Sequence, residues 1–175
     1  VEYMDHTSNT IYAAFKVKET KKEFLKGTSI VIWTTTPWTI PANKALAFNN
    51  NIEYSILQIS ELENFKDKKI VVASNLIKTI SNNCGIKDYK ILKTFKGSEF
   101  KGTICSHPFL KMKFDYDVPM LDAEFVNLEQ GTGIVHCAPS HGPDDFNLCL
   151  KNNIPSLYTV DNSGLYTDEI PYFKN

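Results

Sequence analysis

Ile30-Val31-Ile32-Trp33-Thr34-Thr35-Thr36 is a run of mostly β-branched residues, and Pro37 ends it. Branched side chains favour extended backbone, and a proline cannot continue the hydrogen-bond ladder of a sheet. The run therefore predicts a strand over 30–36. Similar runs predict further strands over 11–17, 54–59, 69–73, 89–95 and 134–137.

Two other segments carry helical signals. Leu76, Ile77 and Ile80 recur at helical spacing within 75–82, and the segment 143–152 begins with a proline followed by two acids. Many short strands separated by Gly, Asn and Pro favour a barrel or sandwich over a doubly wound sheet. We therefore expect a mainly β fold with a few helices.

Composition limits the function classes that need to be considered. The chain has 175 residues, 42% of them hydrophobic, and a formal net charge of −1, which is typical of one globular domain without strong attraction for a polyanion. All basic residues are lysines, so no contact can use a guanidinium fork. No apolar run is long enough to predict a membrane-spanning helix. The start, Val1-Glu2-Tyr3, suggests a segment of a longer protein.

The cysteines and histidines do not predict a metal site. Cys84, Cys105, Cys137 and Cys149 are widely spaced, which predicts free thiols in a cytosolic protein. The stretch from His136 to Cys149 contains possible ligands but no standard ligand spacing. Adjacent residues in a strand point to opposite faces, so His136 and Cys137 cannot act as a nucleophilic pair either.

The threonine segment Trp33-Thr34-Thr35-Thr36-Pro37-Trp38-Thr39-Ile40-Pro41-Ala42-Asn43 turns polar where its strand ends. Consecutive hydroxyl groups at a strand end can donate and accept hydrogen bonds around a small polar ligand. Threonine is also simply a good strand former, with the prolines shaping the following turn. Both interpretations remain open from the residues alone.

The second informative segment runs from Gln130 to Phe146, as a glycine turn, a short strand, a histidine, a Pro-bounded loop and an acidic helix start. With Phe146, Cys149 and Leu150 as the apolar face, Asp145 lies at the border of that face and Asp144 lies opposite. The helix N-terminus favours ionised carboxylates, so Asp145 can either bind an ammonium group at a pocket edge or only cap the helix.

Together the two segments resemble the signature stretches of the editing domain of isoleucyl-tRNA synthetase, a class I aminoacyl-tRNA synthetase. The second stretch is Gly131-Thr-Gly-Ile-Val-His-Cys-Ala-Pro-Ser-His-Gly-Pro-Asp-Asp145. The valyl and leucyl relatives typically have Thr-Thr-Arg-Pro where this chain has Thr34-Thr35-Thr36-Pro37, and they lack a histidine at 136. Cys137 departs from the threonine common in bacterial relatives, at a position that the family does not use in catalysis.

The resemblance implies a β-barrel-type domain that hydrolyses valine from mischarged tRNA(Ile), and possible hydrolysis of valyl-adenylate. It assigns catalysis to Asp145, Thr35 and Thr36, with Asp145 holding the ammonium group of valine. His136 would exclude isoleucine by size. The substrate-binding set would comprise Thr34, Thr35, Thr36, Trp38, Thr39, His136 and Asp145.

The same resemblance implies that residues 1–175 form a single editing domain within a cytoplasmic synthetase. Residues 1–17 and 165–175 would connect it to the catalytic domain. No cofactor or metal is expected here, whereas the full-length enzyme would use ATP and Mg. The expected partners are the 3′ acceptor end of tRNA(Ile), misactivated valine and the rest of the synthetase chain, without a membrane and with a monomeric domain. The alternatives are a tRNA-end binding module without chemistry, a free-standing deacylase and the editing domain of a valyl or leucyl relative.

Overall fold

The polypeptide folds around one nine-stranded sheet in the computed structural model, which describes residues 7–60, 68–170 and 172–174. Its strands are β1 (Ile11–Glu19), β2 (Thr28–Thr34), β3 (Ala45–Phe48), β4 (Glu53–Ile59), β5 (Lys69–Ala73), β6 (Tyr89–Lys96), β7 (Ile104–Ser106), β8 (Asp117–Asp122) and β9 (Val135–Cys137). The α-helices are α1 (Ile77–Cys84) and α2 (Pro143–Lys151), and 3₁₀ turns include Pro37–Ala42. No helix among these residues is long and apolar enough to cross a membrane.

The mainly β prediction is confirmed, but the sheet is open rather than a closed barrel. Its strand order is β6-β4-β5-β2-β1-β7-β8-β3-β9, and within the described ranges the two outer strands do not pair with each other. The reason lies in the outer strands. β6 carries lysines on both exposed faces, which is typical of a protected edge, and β9 is only three residues long.

Each predicted strand and helix is present, with small differences at its ends, whereas β3, β7 and β8 were not predicted. β3 has four residues and β7 has three, too few to establish an alternating pattern. β8 contains Pro119, which argues against a strand when only the sequence is read. These strands are stabilised by distant partners, since β3 lies between β8 and β9.

The side chains of β3 and β9 point alternately into two hydrophobic clusters. Leu46 belongs to the main core, while Ala45 and Ala47 pack with Cys137, Leu148 and Cys149 in a smaller cluster beneath α2. Leu46 pairs with His136 and Ala45 pairs with Cys137. His136 and Cys137 therefore lie on opposite faces, as the strand geometry predicts, and α2 covers the face that carries Cys137.

Candidate active site

The threonine segment leaves the sheet through a turn that its own side chains form. The hydroxyl of Thr34 accepts a hydrogen bond from the backbone N–H of Thr36 at 3.0 Å, and the two hydroxyl groups lie 3.2 Å apart. This bond diverts the chain from the ladder, so β2 ends at Thr34 rather than at Thr36 as predicted. Thr34 is buried, and Thr35 and Thr36 are exposed just beyond the strand end.

His136 is the point at which the two distant segments meet. The side chain of Asn43 donates from Nδ2 to the carbonyl oxygen of Ala45 at 2.9 Å, and because a carbonyl only accepts, this contact identifies the amide nitrogen. The same nitrogen donates to Nδ1 of His136 at 3.0 Å. Nδ1 therefore carries no hydrogen, and Nε2–H donates to the hydroxyl of Thr39 at 2.8 Å. The Thr39 hydroxyl in turn donates to the carbonyl of Thr36 at 2.8 Å.

This network holds His136 neutral and fixed in orientation. The side chain is only 7% exposed, and burial, followed by the nearby His107 and His141, lowers its pKa to about 4. Both ring nitrogens already have partners, so the imidazole has no free lone pair with which to accept a proton. His136 can form a rigid wall, but it is unsuited to general-base chemistry in this arrangement.

Asn43 is the site residue that the sequence reasoning missed. It is fully buried, and its Oδ1 atom has no hydrogen-bond partner in the described part of the chain. The sequence did offer a signal: Asn43 directly follows the apolar residues Ile40-Pro41-Ala42, which the structure buries. A polar side chain in such a place normally has a structural or functional partner. Its partner His136 lies 93 positions along the chain, and no local pattern indicates that pairing.

Asp145 faces inward from the first turn of α2. Its Oδ2 atom accepts the backbone N–H of Ala138 at 2.9 Å, while Asp144 is exposed, so the predicted difference between the two acids is confirmed. The predicted apolar face was right at Cys149 and wrong at Phe146 and Leu150. Leu148 and Cys149 are buried, whereas Phe146 and Leu150 are 43% and 63% exposed, because the face that meets β9 contains positions three and four after Asp145.

The electrostatic environment of Asp145 also differs from the expectation based on the helix end. Burial raises the pKa of this carboxyl above its usual value, outweighing the hydrogen bond from Ala138, which acts in the opposite direction. The adjacent thiol of Cys137 is deeply buried, and that burial raises its pKa well above the usual value, so it stays a neutral thiol. A half-buried carboxylate gains by receiving a cation, which makes Asp145 a suitable ammonium ligand.

Trp38 projects from the 3₁₀ turn, with 51% of its surface exposed. Its indole lies nearly perpendicular to the ring of His141, at a centroid distance of 5.0 Å. The turn therefore presents an aromatic face beside the loop that leads from His136 to Asp145. An exposed aromatic ring of this kind can stack on a nucleobase.

A cleft of about 250 Å³ opens beside the threonine segment. Its lining includes Thr34, Thr35 and the turn that contains Gly131 and Gly133, but not Trp38, His136 or Asp145. Both glycines have positive φ values of 81° and 73°, which favour glycine. The hydroxyl of Tyr54 donates to the carbonyl of Gly133 at 2.8 Å and holds this glycine turn in place.

The predicted residues therefore form two adjoining groups. Hydrogen bonds connect Thr34, Thr36, Thr39 and His136 in one group, while Asp145 contacts the loop after β9 in the other. The ring contact between Trp38 and His141 joins that loop to the threonine segment. Among the residues that the structure describes, no three His, Cys, Asp or Glu side chains are grouped closely enough to hold a metal ion.

Comparison with known proteins decides the family. Residues 7–172 match the model of the family described as leucyl-tRNA synthetase, editing domain. The chain belongs to this editing-domain family. It is 60% identical over 174 residues to the isoleucine–tRNA ligase of Pelagibacter ubique, covering 99% of this chain and 19% of that protein. The corresponding enzyme of Brevibacillus brevis is 41% identical over 174 residues, covering 99% and 18%.

Solved structures support the same fold. The editing domain of the cytosolic leucyl-tRNA synthetase from P. knowlesi aligns with a TM-score of 0.61 and 18% identity over 82% of this chain and 60% of that one. GlLeuRS-CP1 aligns with a TM-score of 0.63 and 17% identity over 82% and 58%. The chain spans about a fifth of the length of its isoleucine–tRNA ligase relatives. The resemblance to the isoleucyl editing domain is thus confirmed.

Proposed function

We propose that this domain hydrolyses the ester of valine mischarged onto tRNA(Ile), as the second size filter of an isoleucyl-tRNA synthetase. One methylene provides only about 1–3 kcal/mol of selectivity, as the discrimination between isoleucine and valine by this enzyme itself illustrates. A synthetic site that accepts isoleucine therefore needs a separate site to remove valine. The observation that carries the proposal is the network that holds His136 rigid and neutral and links it through Thr39 to Thr36, while Asp145 is bonded to the loop just after His136.

Each side chain then has a distinct task. Asp145 holds the α-ammonium group, and the fixed imidazole of His136 leaves room for valine but not for the extra methylene of isoleucine. The ribose of the terminal adenosine lies beside Thr34 and Thr35, which line the cleft. Its base stacks on the exposed indole of Trp38, which follows the threonines in the chain. The hydroxyl of Thr35, which makes no hydrogen bond within the described ranges, and that of Thr36 are available to position water.

The proposed reaction needs no protein nucleophile. Water attacks the ester carbonyl carbon, the bond to the ribose oxygen breaks, and that oxygen leaves with a proton as a hydroxyl group. Holding water and ester together supplies much of the rate enhancement. We propose that the domain needs no cofactor or metal, whereas the full-length synthetase uses ATP and Mg for aminoacylation in the cytoplasm. Residues 1–17 and 165–175 lead to that catalytic part in this proposal; residues 11–17 also belong to β1 inside the sheet, and residues 1–6, 171 and 175 lie outside the described part of the chain.

The test is to compare deacylation of Val-tRNA(Ile) and Ile-tRNA(Ile) by the full-length enzyme that contains this chain. We expect rapid release of valine and little release of isoleucine. Replacing Thr35 and Thr36 together by valine should slow the release of valine, and replacement by serine should restore it, because serine keeps the hydroxyl groups. Binding of Val-tRNA(Ile) without hydrolysis would instead support a binding module, and equal hydrolysis of both esters would contradict the size filter.

A further inference from the structure

A hairpin near the C-terminal end of the chain, residues 158–167, is stabilised by several internal hydrogen bonds. The backbone N–H groups of Ser163 and Leu165 both donate to Oδ1 of Asp161, at 2.8 and 3.0 Å. Val160 and Tyr166 form an antiparallel bridge across the turn. The hairpin is therefore a defined element that can hold another part of the molecule in place.

This hairpin contacts both segments of the proposed site. The hydroxyl of Tyr166 donates to the carbonyl oxygen of Trp38 at 2.6 Å. The hydroxyl of Thr159 lies 2.8 Å from Nε2 of His141, whose ring makes a T-shaped contact with the Trp38 indole. Tyr166 thus holds the backbone of Trp38. Thr159 holds His141, which in turn contacts the indole ring.

The contact with Tyr166 satisfies an acceptor that the 3₁₀ turn leaves open. In a 3₁₀ helix each carbonyl accepts the N–H three residues later, and the residue three positions after Trp38 is Pro41, which has no N–H. The tyrosine hydroxyl supplies the missing donor from 128 positions along the chain. The bond therefore ties the backbone of Trp38 to the hairpin.

We propose that Tyr166 is a positioning residue that orients the exposed indole of Trp38 for the base of the terminal adenosine. This inference rests on the proposed function, because that function supplies the base. Tyr166 does not touch the reacting atoms; it acts through Trp38. Losing its hydroxyl leaves the ring in place against Phe173, at a centroid distance of 5.8 Å, while freeing the carbonyl of Trp38.

The test compares Tyr166→Phe with Tyr158→Phe in the full-length enzyme. Tyr158 belongs to the same hairpin, is 63% exposed, and its hydroxyl makes no hydrogen bond within the described residues. We expect Tyr166→Phe to raise the KM for Val-tRNA(Ile) about two- to tenfold, the range for one neutral hydrogen bond, with kcat unchanged. Tyr158→Phe should change neither constant. In a Trp38→Ala background, Tyr166→Phe should have no further effect.

A second measurement is independent of the reaction. With 5-fluorotryptophan incorporated, the fluorine resonance that Trp38→Phe removes belongs to Trp38, and Tyr166→Phe should shift or broaden it while Tyr158→Phe should not. An unchanged resonance, a fall in kcat at constant KM, or an undiminished effect of Tyr166→Phe without Trp38 would overturn the proposal. If the wild-type enzyme hydrolyses neither ester, the proposed function fails, and the fluorine resonance still decides whether Tyr166 positions Trp38.

Discussion

Replacing Asp145 by asparagine separates the charge of this side chain from its structural role. In the folded chain, Oδ2 of Asp145 accepts the backbone N–H of Ala138 at 2.9 Å. The amide oxygen of asparagine can accept the same bond, so Asp145→Asn preserves the link between α2 and the loop after β9. The substitution removes the negative charge that the proposal assigns to the valine ammonium group, and it replaces the second carboxylate oxygen by an NH2 group.

The expected effect follows from the loss of one charge-assisted hydrogen bond. Such a bond contributes about 1.5–3 kcal/mol, which corresponds to a fall of roughly 10- to 150-fold in kcat/KM for the deacylation of Val-tRNA(Ile). The matched control is Asp144→Asn, in which the carboxylate next in sequence is exposed to solvent. We expect this variant to retain nearly full activity, because water screens an exposed charge.

The pH dependence gives an additional signature. Burial raises the pKa of Asp145, so its carboxylate should take up a proton, and cease to attract the ammonium group, at a higher pH than an exposed aspartate would. The kcat/KM of the wild-type enzyme should therefore fall as the pH decreases through that raised pKa, whereas Asp145→Asn should lack this step. Equal damage from Asp144→Asn and Asp145→Asn, or full activity of Asp145→Asn, would refute the assignment of Asp145 as the ammonium ligand.

Four further predictions concern the wall, the cleft, pH and metal ions. His136→Ala should allow release of isoleucine from Ile-tRNA(Ile) while release of valine continues, because it removes an overpacking penalty of about 1–3 kcal/mol; a parallel loss of both rates would contradict the size gate. Gly133→Ala should destabilise the domain by about 2 kcal/mol or more in urea unfolding, because its Cβ would lie 2.4 Å from that of Ala73, whereas Gly164→Ala, with open space around it, should lose only about 1 kcal/mol to backbone strain. Burial lowers the pKa of His136 and that of His107 to about 4, so both stay neutral while the unfolded chain takes up a proton on each below pH 6.5. Stability present above pH 6.5 should therefore decline by about 1.4 kcal/mol per pH unit for each histidine, about 2.8 together, between 6.5 and 4; pH-corrected amide exchange of β9 would measure this decline. Treating the full-length enzyme with a zinc chelator should leave the release of valine from Val-tRNA(Ile) unchanged, and a loss restored by added zinc would contradict a metal-free site.

Local patterns in the sequence were enough to predict much of the fold. β-Branched runs predict six of the strands, because their preference for extended backbone does not depend on distant partners. Helical spacing likewise predicts that Asp145 faces inward and Asp144 outward. The short strands β3, β7 and β8 escape prediction, since pairing with residues far along the chain stabilises them more than their own composition does.

The sequence alone predicted which groups the candidate site contains: hydroxyls at the end of one strand, an imidazole on another and a carboxylate at a helix start. Only the tertiary structure decided how these groups are held. Asn43 and Thr39, 93 and 97 positions away, select the tautomer of His136, and burial keeps that ring neutral. The physical reason is that a pKa, a tautomer and a hydrogen-bond partner depend on the three-dimensional surroundings of a side chain, which neighbours along the chain do not specify.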